Sequence, residues 1–274
     1  MDRLEEIMKT LKIKVSQVEK LGGLSNQTNQ PNGTNMSTFN CVRCEDRGLI
    51  LEKNSDGYEV GIPCYCNKKR KVERLMASSE ITDKFLKLGF GNFETEGRPQ
   101  VIEIAKTTAI DYVDAFDDIK RARVNSLTIV GTPGSGKTHL QMAVANNLIK
   151  MGIPVLYFPF VEGFNDLKRN FDLLDKKIEK MKQIDVLFID DLFKGRDTAT
   201  QFQMEQIYAV VNYRYLNHLP ILLSSEKTID EICYIDEALG SRIFEMSQDY
   251  LVQIKGDRMS LNYRLKALLN KNKR

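Results

Sequence analysis

At 274 residues the chain is long enough for one α/β domain and a smaller module. Its net charge of +3 does not indicate a protein that coats nucleic acid, and it has no run of about 18 apolar residues that could cross a membrane. The charged N-terminus lacks the apolar segment of a secretion signal, so we expect a cytoplasmic protein.

The first 40 residues divide into a helical and a polar segment. Residues 1–24 place apolar side chains at helical spacing with glutamate and lysine opposite, which predicts one amphipathic helix. Its apolar face either packs on the same chain or docks on another protein, and the sequence leaves both open. Residues 25–40 are almost wholly polar and rich in asparagine, so we expect a flexible linker.

Four of the five cysteines fall in two close pairs, Cys41 with Cys44 and Cys64 with Cys66. Between the pairs, two short strand-like runs flank an Asp-Gly turn, which predicts a β-hairpin that brings the pairs together. Four converging thiolates would form a tetrahedral zinc site of the structural kind. The alternative is four buried thiols without a metal.

The sequence predicts three parts. Residues 1–78 would form an N-terminal domain that holds the zinc site and ends in a basic helix at 67–78. Residues 79–99 contain several glycines and would be a linker, and residues 100–274 would form a nucleotide-binding domain that begins with a helix at 100–120. Only about 20 residues follow the last predicted strand, so we expect little or no lid.

Strands and helices alternate from residue 126 onward, which predicts an α/β fold with a parallel sheet and helices on both faces. The strand candidates are 126–130, 154–158, 185–189, 220–224 and 250–254. The helix candidates are about 137–150, 163–182, 200–216, 236–246 and 258–270.

Residues 131–138 match the P-loop pattern G-x-x-x-x-G-K-[ST] at every position. They lie between a predicted strand and a predicted helix, where backbone N–H groups and the helix dipole favour phosphate. We expect every residue of this loop to contribute to nucleotide binding: Gly131, Thr132, Pro133, Gly134, Ser135, Gly136, Lys137 and Thr138. Lys137 would reach the β- and γ-phosphates, and Thr138 would hold Mg²⁺. The alternative is a glycine-rich turn that binds nothing.

The apolar run from Val186 ends in Asp190 and Asp191, which is the Walker B arrangement. Asp190 would help to hold Mg²⁺, and Asp191 would orient or activate the attacking water, unless the pair is only a solvated turn. The next strand ends in Ser224, Ser225 and Glu226. Any of these could sense the γ-phosphate, and we assign Ser225 to the nucleotide site, although a plain helix cap is equally compatible.

Arg242 follows a Gly-Ser pair near the end of the chain. It could reach a γ-phosphate bound to an adjacent subunit, as an arginine finger does, whereas a lone arginine is more often a surface residue.

Taken in order, these motifs resemble the AAA+ ATPases of the bacterial replicative-helicase loaders, the DnaC/DnaI type with its phage versions. The matching segments are 131–138, 186–191, 223–226 and 240–242, with the cysteine segments 41–50 and 63–70 upstream. The upstream part resembles the zinc-bearing, helicase-docking region of those loaders.

The resemblance implies a weak, Mg²⁺-dependent ATPase that binds ATP and Zn²⁺, with Lys137, Asp191 and Arg242 as catalytic residues. The N-terminal domain would grip a hexameric replicative helicase. The AAA+ domain would self-associate and deliver the helicase onto single-stranded DNA. This chain departs from the family at the sensor strand, where asparagine is usual, and either Arg258 or Arg264 could be the second sensor.

Single-stranded DNA contact is suggested by a mixture of aromatic and basic residues after the second strand of the sheet, namely Phe160, Phe164, Lys168, Arg169 and Phe171. The alternative is a helix that packs its aromatic side chains inward. A different AAA+ function, as a transposition helper or an origin-binding initiator, would need a duplex-binding module, and no helix-turn-helix pattern follows residue 255.

Overall fold

The computed structural model describes residues 39–195 and 199–265. The predicted helix at 1–24, nearly all of the predicted linker at 25–40 and the end of the predicted helix at 258–270 lie outside these described residues. Within the two ranges, none of the helices combines the length and the apolar run that crossing a bilayer requires.

The N-terminal part of the described chain is a hairpin followed at once by a helix. Strands β1 (Leu49–Lys53) and β2 (Glu59–Pro63) pair antiparallel, and helix α1 (Cys66–Ser78) follows. The turn is closed by the Asn54 side chain, whose Oδ1 accepts main-chain N–H groups of Asp56 and Tyr58 at 3.1 and 2.9 Å. The predicted hairpin and basic helix are therefore confirmed.

A five-stranded parallel sheet follows, in the order β4-β5-β6-β3-β7. Its strands are β3 (Leu127–Gly131), β4 (Val155–Pro159), β5 (Val186–Leu192), β6 (Ile221–Ser225) and β7 (Leu251–Ile254). Each predicted strand is present and begins within one residue of its predicted start. Strand β5 runs on to Leu192, so it includes both aspartates of the Walker B motif.

Helices pack on both faces of the sheet. They are α2 (Asp83–Leu86), α3 (Gln100–Ile119), α4 (Lys137–Lys150), α5 (Phe160–Arg169), α6 (Leu174–Gln183), α7 (Gln201–Leu216), α8 (Ile229–Ile235), α9 (Glu237–Ser247) and α10 (Arg258–Leu261). Neighbouring strand residues alternate between two cores: Tyr157 joins the core of α3 and α4, and Phe158 joins that of α5, α7 and α9. Both faces are thus covered, which explains the continuous apolar strand sequences.

Two predicted helices need correction, and one helix was missed. The helix predicted at 163–182 is two helices, α5 and α6, because the backbone of Asn170 (φ −141°, ψ 84°) leaves the helical region. The helix predicted at 258–270 stops at Leu261, where Asn262 turns to an extended conformation. The helix predicted at 236–246 is confirmed as α9, but α8 before it was not predicted. The capping box of Thr228 and Glu231 is the signal that could have located α8.

Helix α1 and the segment after it pack on the sheet domain. Val72, Leu75 and Met76 of α1 contact the core on the α4 side, and Ile81 and Phe93 are buried within that core. The segment 79–99 therefore supplies core side chains as well as connecting the two parts. The division of the chain at residues 78 and 99 stays a prediction.

Candidate functional site

The P-loop connects β3 to α4 at the carboxyl edge of the sheet. Three of its glycines have positive φ angles, among them Gly136 at the N-terminal end of α4 with φ 105°. A side chain at Gly136 would be strained, and its Cβ would lie 2.6 Å from the ring of Phe93. The loop therefore has the sharp turn that points backbone N–H groups and a helix N-terminus into one cleft.

Two buried hydroxyls in the loop fit a phosphate ligand. Thr132 Oγ1 and Ser135 Oγ have no hydrogen-bond partner among the described residues. Buried polar atoms nearly always have a partner, and an anion with several acceptor oxygens would supply one for each hydroxyl. Both the P-loop sequence match and these two hydroxyls are therefore consistent with phosphate binding by the loop.

Lys137 lies folded against this loop. Its side chain is buried, and Nζ donates to the main-chain oxygens of Gly131 (2.8 Å) and Thr132 (3.0 Å). Burial lowers its pKa, and the nearby carboxylates of Asp191 and Glu226 oppose that shift. The lysine is therefore a desolvated cation at the position where the motif requires one.

Asp190 is joined to the P-loop through Thr138, whose Oγ1 donates to Asp190 Oδ1 over 2.9 Å. The same carboxylate accepts from Ser224 Oγ at 2.5 Å and, on Oδ2, from the Tyr157 hydroxyl at 3.1 Å. Burial raises the pKa of Asp190, and the hydrogen bonds from Ser224 and Thr138 counteract it. A hydroxyl and a buried carboxylate side by side are oxygen ligands of the kind that Mg²⁺ takes, so the pair fits this ion.

Asp191 occupies an unusual backbone position, with φ 57° in the left-handed region. Its main-chain N–H donates to Ser224 Oγ over 2.8 Å. Its side-chain Oδ2 lies 2.5 Å from the ammonium of Lys194. Asp191 lines the cleft together with Lys137 and Lys194.

The three polar residues at the end of β6 have separate positions. Ser224 bridges the two aspartates through the contacts above, and Glu226 lines the cleft. Ser225, which we assigned to the nucleotide site, donates to the main-chain oxygen of Leu192 (2.7 Å) and accepts from the N–H of Lys227 (3.0 Å). Among the described residues, Ser224 is thus the serine in contact with the acidic pair.

Arg242 lies on α9, away from the residues that line this chain's own cleft. Its guanidinium donates to Asn212 Oδ1 (3.0 Å) and to the Ala238 main-chain oxygen (2.7 Å), and it stacks on the rings of Tyr208 and Tyr215. An arginine finger acts on a nucleotide held by another subunit, so this position is compatible with that role, which stays a prediction.

The segment after β7 lies across the P-loop. The Tyr263 main-chain N–H donates to the Gly134 oxygen (3.0 Å), and Arg98 bridges the oxygens of Ser135 (2.7 Å) and Leu261 (3.0 Å). Arg264 lines the cleft, whereas Arg258 is not among the described residues that do so. Of the two candidates for a second sensor, Arg264 is therefore the better placed.

The cleft has a volume of about 790 Å³, enough for a nucleotide. The sequence patterns did not point to several of its lining residues: Asn92, Phe93, Arg98, His139, Tyr157, Glu162, Lys194 and Tyr263. His139 follows the P-loop directly, and its Nε2 lies 3.0 Å from both Gly89 O and Asn92 Oδ1. Three of these residues come from 79–99, and the others lie on helices, a strand and turns outside the P-loop and Walker B motifs.

The four cysteines of the two pairs are buried together. Their sulfur atoms all lie within 4.8 Å of one another, with Sγ–Sγ distances of 3.8 Å for Cys41–Cys64 and 3.4 Å for Cys44–Cys66. A tetrahedral zinc with bonds of about 2.3 Å needs sulfurs roughly 3.8 Å apart, so the cluster fits this ion. A backbone hydrogen bond at Cys44 lowers the pKa of the Cys41 thiol to about 7, which favours the thiolate that zinc binds.

A second layer of contacts orients the cysteine cluster. Asp46 accepts from the main-chain N–H groups of Asn40 (3.1 Å) and Cys41 (3.0 Å) and pairs with Arg70 of α1. Gly48 N–H donates to Cys44 Sγ at 3.4 Å. Such outer contacts are typical of structural metal sites, because they hold the ligands in position before the metal binds.

The residues proposed to contact single-stranded DNA do not form one surface. Phe160 and Phe164 are almost fully buried, with ring centroids 5.1 Å apart, so the expectation that they stack on bases is wrong. They face inward because α5 must cover the sheet. Phe171 is 63% exposed, and Lys168 and Arg169 beside it are exposed as well.

Comparison with known proteins gives consistent matches. The family model of IstB-like ATP-binding proteins matches residues 67–267. Phage-like element PBSX protein XkdC of Bacillus subtilis (strain 168) is 53% identical over 243 residues, covering 87% of this chain and 91% of that protein. Uncharacterized protein YqaM of the same strain is 56% identical over 206 residues, covering 74% of this chain and 66% of that protein.

Among solved structures, that of the DnaC helicase loader matches with a TM-score of 0.52 at 24% identity. The match covers 64% of this chain and 100% of that chain. At this identity the likeness shows that the two chains share a fold.

Proposed function

The chain belongs to the IstB-like ATP-binding proteins, and from this premise we propose that it is an ATP-dependent loader of a replicative DNA helicase. The observation that carries the proposal is the 2.9 Å contact of Thr138 with Asp190. It joins the P-loop to the Walker B strand in a chain that also holds a four-cysteine cluster. The fold shared with the DnaC helicase loader adds support.

We propose that the cleft hydrolyses ATP. Lys137 and the P-loop N–H groups hold the phosphates, and Thr138 and Asp190 would hold Mg²⁺, which neutralises phosphate charge when bound. The oxygen of a water forms a bond to the γ-phosphorus, and the bond to the β–γ bridging oxygen breaks with its electron pair leaving on ADP. Asp191 orients that water and accepts its proton, which then passes to solvent.

The N-terminal module is the proposed docking site for the helicase. The hairpin and the segments beside it expose apolar side chains outside the cysteine cluster, namely Val42, Leu49, Leu51, Tyr58 and Tyr65. A monomeric protein rarely gathers so many exposed apolar residues in one small segment, so the surface suits a protein partner. The division at residues 78 and 99 belongs to this proposal.

Single-stranded DNA and a second copy of the chain are the other proposed partners. Phe171 with Lys168 and Arg169 offers one exposed ring beside two cations, a combination that suits stacking and phosphate contact. Arg242 would complete the ATP site of a neighbouring copy.

The proposal is tested by co-precipitation of the tagged full chain from its native cell, with the captured proteins identified by mass spectrometry. Wild type should retain a hexameric replicative helicase. A Leu49→Glu/Leu51→Glu variant should not capture the helicase. The Lys137→Ala variant should still capture it, but adding ATP should no longer change the amount captured.

Capture of duplex-DNA-binding or transposition proteins with no helicase would instead favour an initiator or transposition helper. A Leu216→Glu variant serves as the matched control, because Leu216 is an exposed apolar residue (64% exposed) at the end of α7, outside the hairpin.

A further inference from the structure

Lys194 is a second lysine of the nucleotide cleft that the P-loop and Walker B motifs do not include. It lies three residues after Asp191, in the turn that follows β5, and it lines the same cleft as Lys137. Its Nζ lies 2.5 Å from Asp191 Oδ2. This is the carboxylate that the proposed reaction uses to accept a proton from water.

The turn holds the backbone of Lys194, whereas its side chain is partly exposed. Phe193, the preceding residue, is 1% exposed and packs against the ring of Phe160 at 5.3 Å. The Lys194 main-chain N–H donates to the Asp191 oxygen at 3.1 Å. The Lys194 side chain itself is 45% exposed, so its ammonium can change partners within the cleft while its Cα stays in place.

The two cleft lysines face the same set of charges. Asp190, Asp191 and Glu226 all interact electrostatically with both Lys137 and Lys194. Lys137 is assigned to the β- and γ-phosphates, and Asp191 must face the water beyond the γ-phosphorus. A cation held on Asp191 therefore lies on the γ-phosphate side of the cleft.

We propose that Lys194 binds the γ-phosphate of the nucleotide and that, without nucleotide, it holds Asp191 in an ion pair. An acidic group cannot take a proton from water with the oxygen that an ammonium occupies. When ATP enters, its terminal phosphate is the stronger anion, so Lys194 exchanges Asp191 for a γ-phosphate oxygen. The exchange adds a contact specific to ATP and at the same time frees Asp191.

The inference rests on the proposed ATP site and assigns a γ-phosphate contact within it. It predicts that Lys194 distinguishes ATP from ADP, because ADP has no γ-phosphate to bind. A lysine with a purely structural role would affect both nucleotides equally.

The test measures the affinities of the full chain for ADP and for a non-hydrolysable ATP analogue by displacement of a fluorescent nucleotide, with Mg²⁺ present. Lys194→Met should weaken analogue binding on the order of tenfold and change ADP binding less than about twofold, the loss expected for one charge-assisted hydrogen bond. Lys194→Arg should keep most of the preference for the analogue.

The matched control is Lys120→Met. Lys120 also forms an ion pair three residues away, with Asp117 at 2.7 Å, and its side chain is 41% exposed, but it lies outside the cleft. This variant should bind both nucleotides as wild type does.

A double variant, Lys194→Met/Asp191→Asn, separates phosphate contact from simple charge balance. If Lys194 acts only by neutralising Asp191, the double variant should recover the affinity for the ATP analogue, which would overturn the inference. Continued loss of the ATP preference supports it. An unchanged ratio in Lys194→Met also overturns it, whereas a wild-type chain that binds neither nucleotide contradicts the proposed function itself.

Discussion

The hydroxyl of Ser224 donates to Asp190 Oδ1 across 2.5 Å and accepts the main-chain N–H of Asp191 at 2.8 Å. One buried serine on β6 thus fixes both acidic residues of the neighbouring strand β5. Since Asp190 and Asp191 have separate proposed tasks, their relative position matters, and Ser224 is the side chain that sets it.

Replacement of Ser224 by alanine should lower the rate of ATP hydrolysis about tenfold or more while changing KM for ATP little, because it misaligns the acidic pair without removing a phosphate contact. Steady-state kinetics would measure this. Ser225→Ala is the comparison, since the Ser225 hydroxyl bonds the Leu192 main chain: it should lower the melting temperature and leave kcat nearly unchanged. If Ser225→Ala lowered kcat and Ser224→Ala did not, Ser225 would be the serine of the nucleotide site, as first assigned.

Asp190 should make the empty protein less stable at neutral pH, because burial raises its pKa above the unfolded value of about 3.9. The stability associated with its neutral form is present below that value and is lost as pH rises through the raised folded pKa. Asp190→Asn should therefore melt about 2–4 °C higher than wild type at pH 7.5, equivalent to about 1 kcal/mol, with a smaller difference at lower pH.

Thermal melting without nucleotide or Mg²⁺, at several pH values, measures the effect of Asp190→Asn. Asp118→Asn on the exposed side of α3 is the control and should show no such difference at any pH. A variant at Asp190 that is less stable than wild type at pH 7.5 would mean that the three hydroxyl contacts outweigh the burial of the charge.

The cysteine cluster should bind one zinc ion per chain. Elemental analysis of the purified protein should give one mole of zinc per mole of chain. The double variant Cys41→Ser/Cys64→Ser should contain no zinc. A two-stranded hairpin is marginal by itself, so metal loss should also expose residues 49–63 to limited proteolysis. Cys233→Ser, whose thiol lies outside the cluster, should keep its zinc. Protein without zinc in which the hairpin still resists protease would contradict the assignment.

Arg214 should be essential for stability although it lies outside the cleft. It is fully buried, and its guanidinium donates to five main-chain oxygens, those of Met181, Lys182, Ile184, Asp185 and Pro220, at 2.7–3.1 Å. Burial lowers its pKa to about 9, which leaves it charged at neutral pH. It thereby joins the end of α6 and the start of β5 to the loop before β6.

Arg214→Met should cost on the order of 3 kcal/mol in the free energy of unfolding, because several buried carbonyls lose their donor at once. Urea denaturation measures the loss. Arg169→Met is the control: its pair with Asp166 is highly exposed, so the change should stay within about 0.5 kcal/mol. Equal effects of the two substitutions would show that the buried network contributes little.

Arg242 should act between subunits. Mixing Arg242→Ala with Lys137→Ala protein should restore part of the ATPase activity, because an intact ATP site on one chain meets an intact arginine on the other. Arg242→Ala should also lose its contacts with Asn212 and Ala238, so circular dichroism is needed to confirm folding. No recovery under conditions in which the two variants co-assemble would count against the role.

The sequence predicted those parts of the molecule whose local structure is determined by the residue types of a recognisable motif. The strand–loop–helix at the P-loop, the Walker B strand, the hairpin with its cysteine pairs and the positions of the five parallel strands are confirmed, as is the resemblance to DnaC-type loaders. In each case local residues determine the outcome: glycines allow positive φ, and apolar runs form buried strands.

The remaining features depend on tertiary contacts. The break at Asn170 and the inward rings of Phe160 and Phe164 follow from how the helices cover the sheet, which helical periodicity alone does not reveal. Tyr157 reaches the cleft from within β4, through its contact with Asp190 on the neighbouring strand, and Lys194 reaches it from the turn after β5. Ser224 rather than Ser225 contacts the acids because adjacent residues of β6 face opposite sides of the sheet.

The main-chain N–H of Tyr157 donates to the oxygen of Ser79 at 2.8 Å, so the residue directly after α1 bonds to β4, an outer strand of the sheet. An uncovered outer strand is a template for uncontrolled pairing with other chains. A shortened ATPase fragment that starts at residue 100 would leave the edge of β4 uncovered. It would also lack the core side chains of Ile81 and Phe93. Such a fragment should aggregate during purification, and recombinant pieces intended for crystallisation should keep residues 41–99, with the four-cysteine cluster, attached.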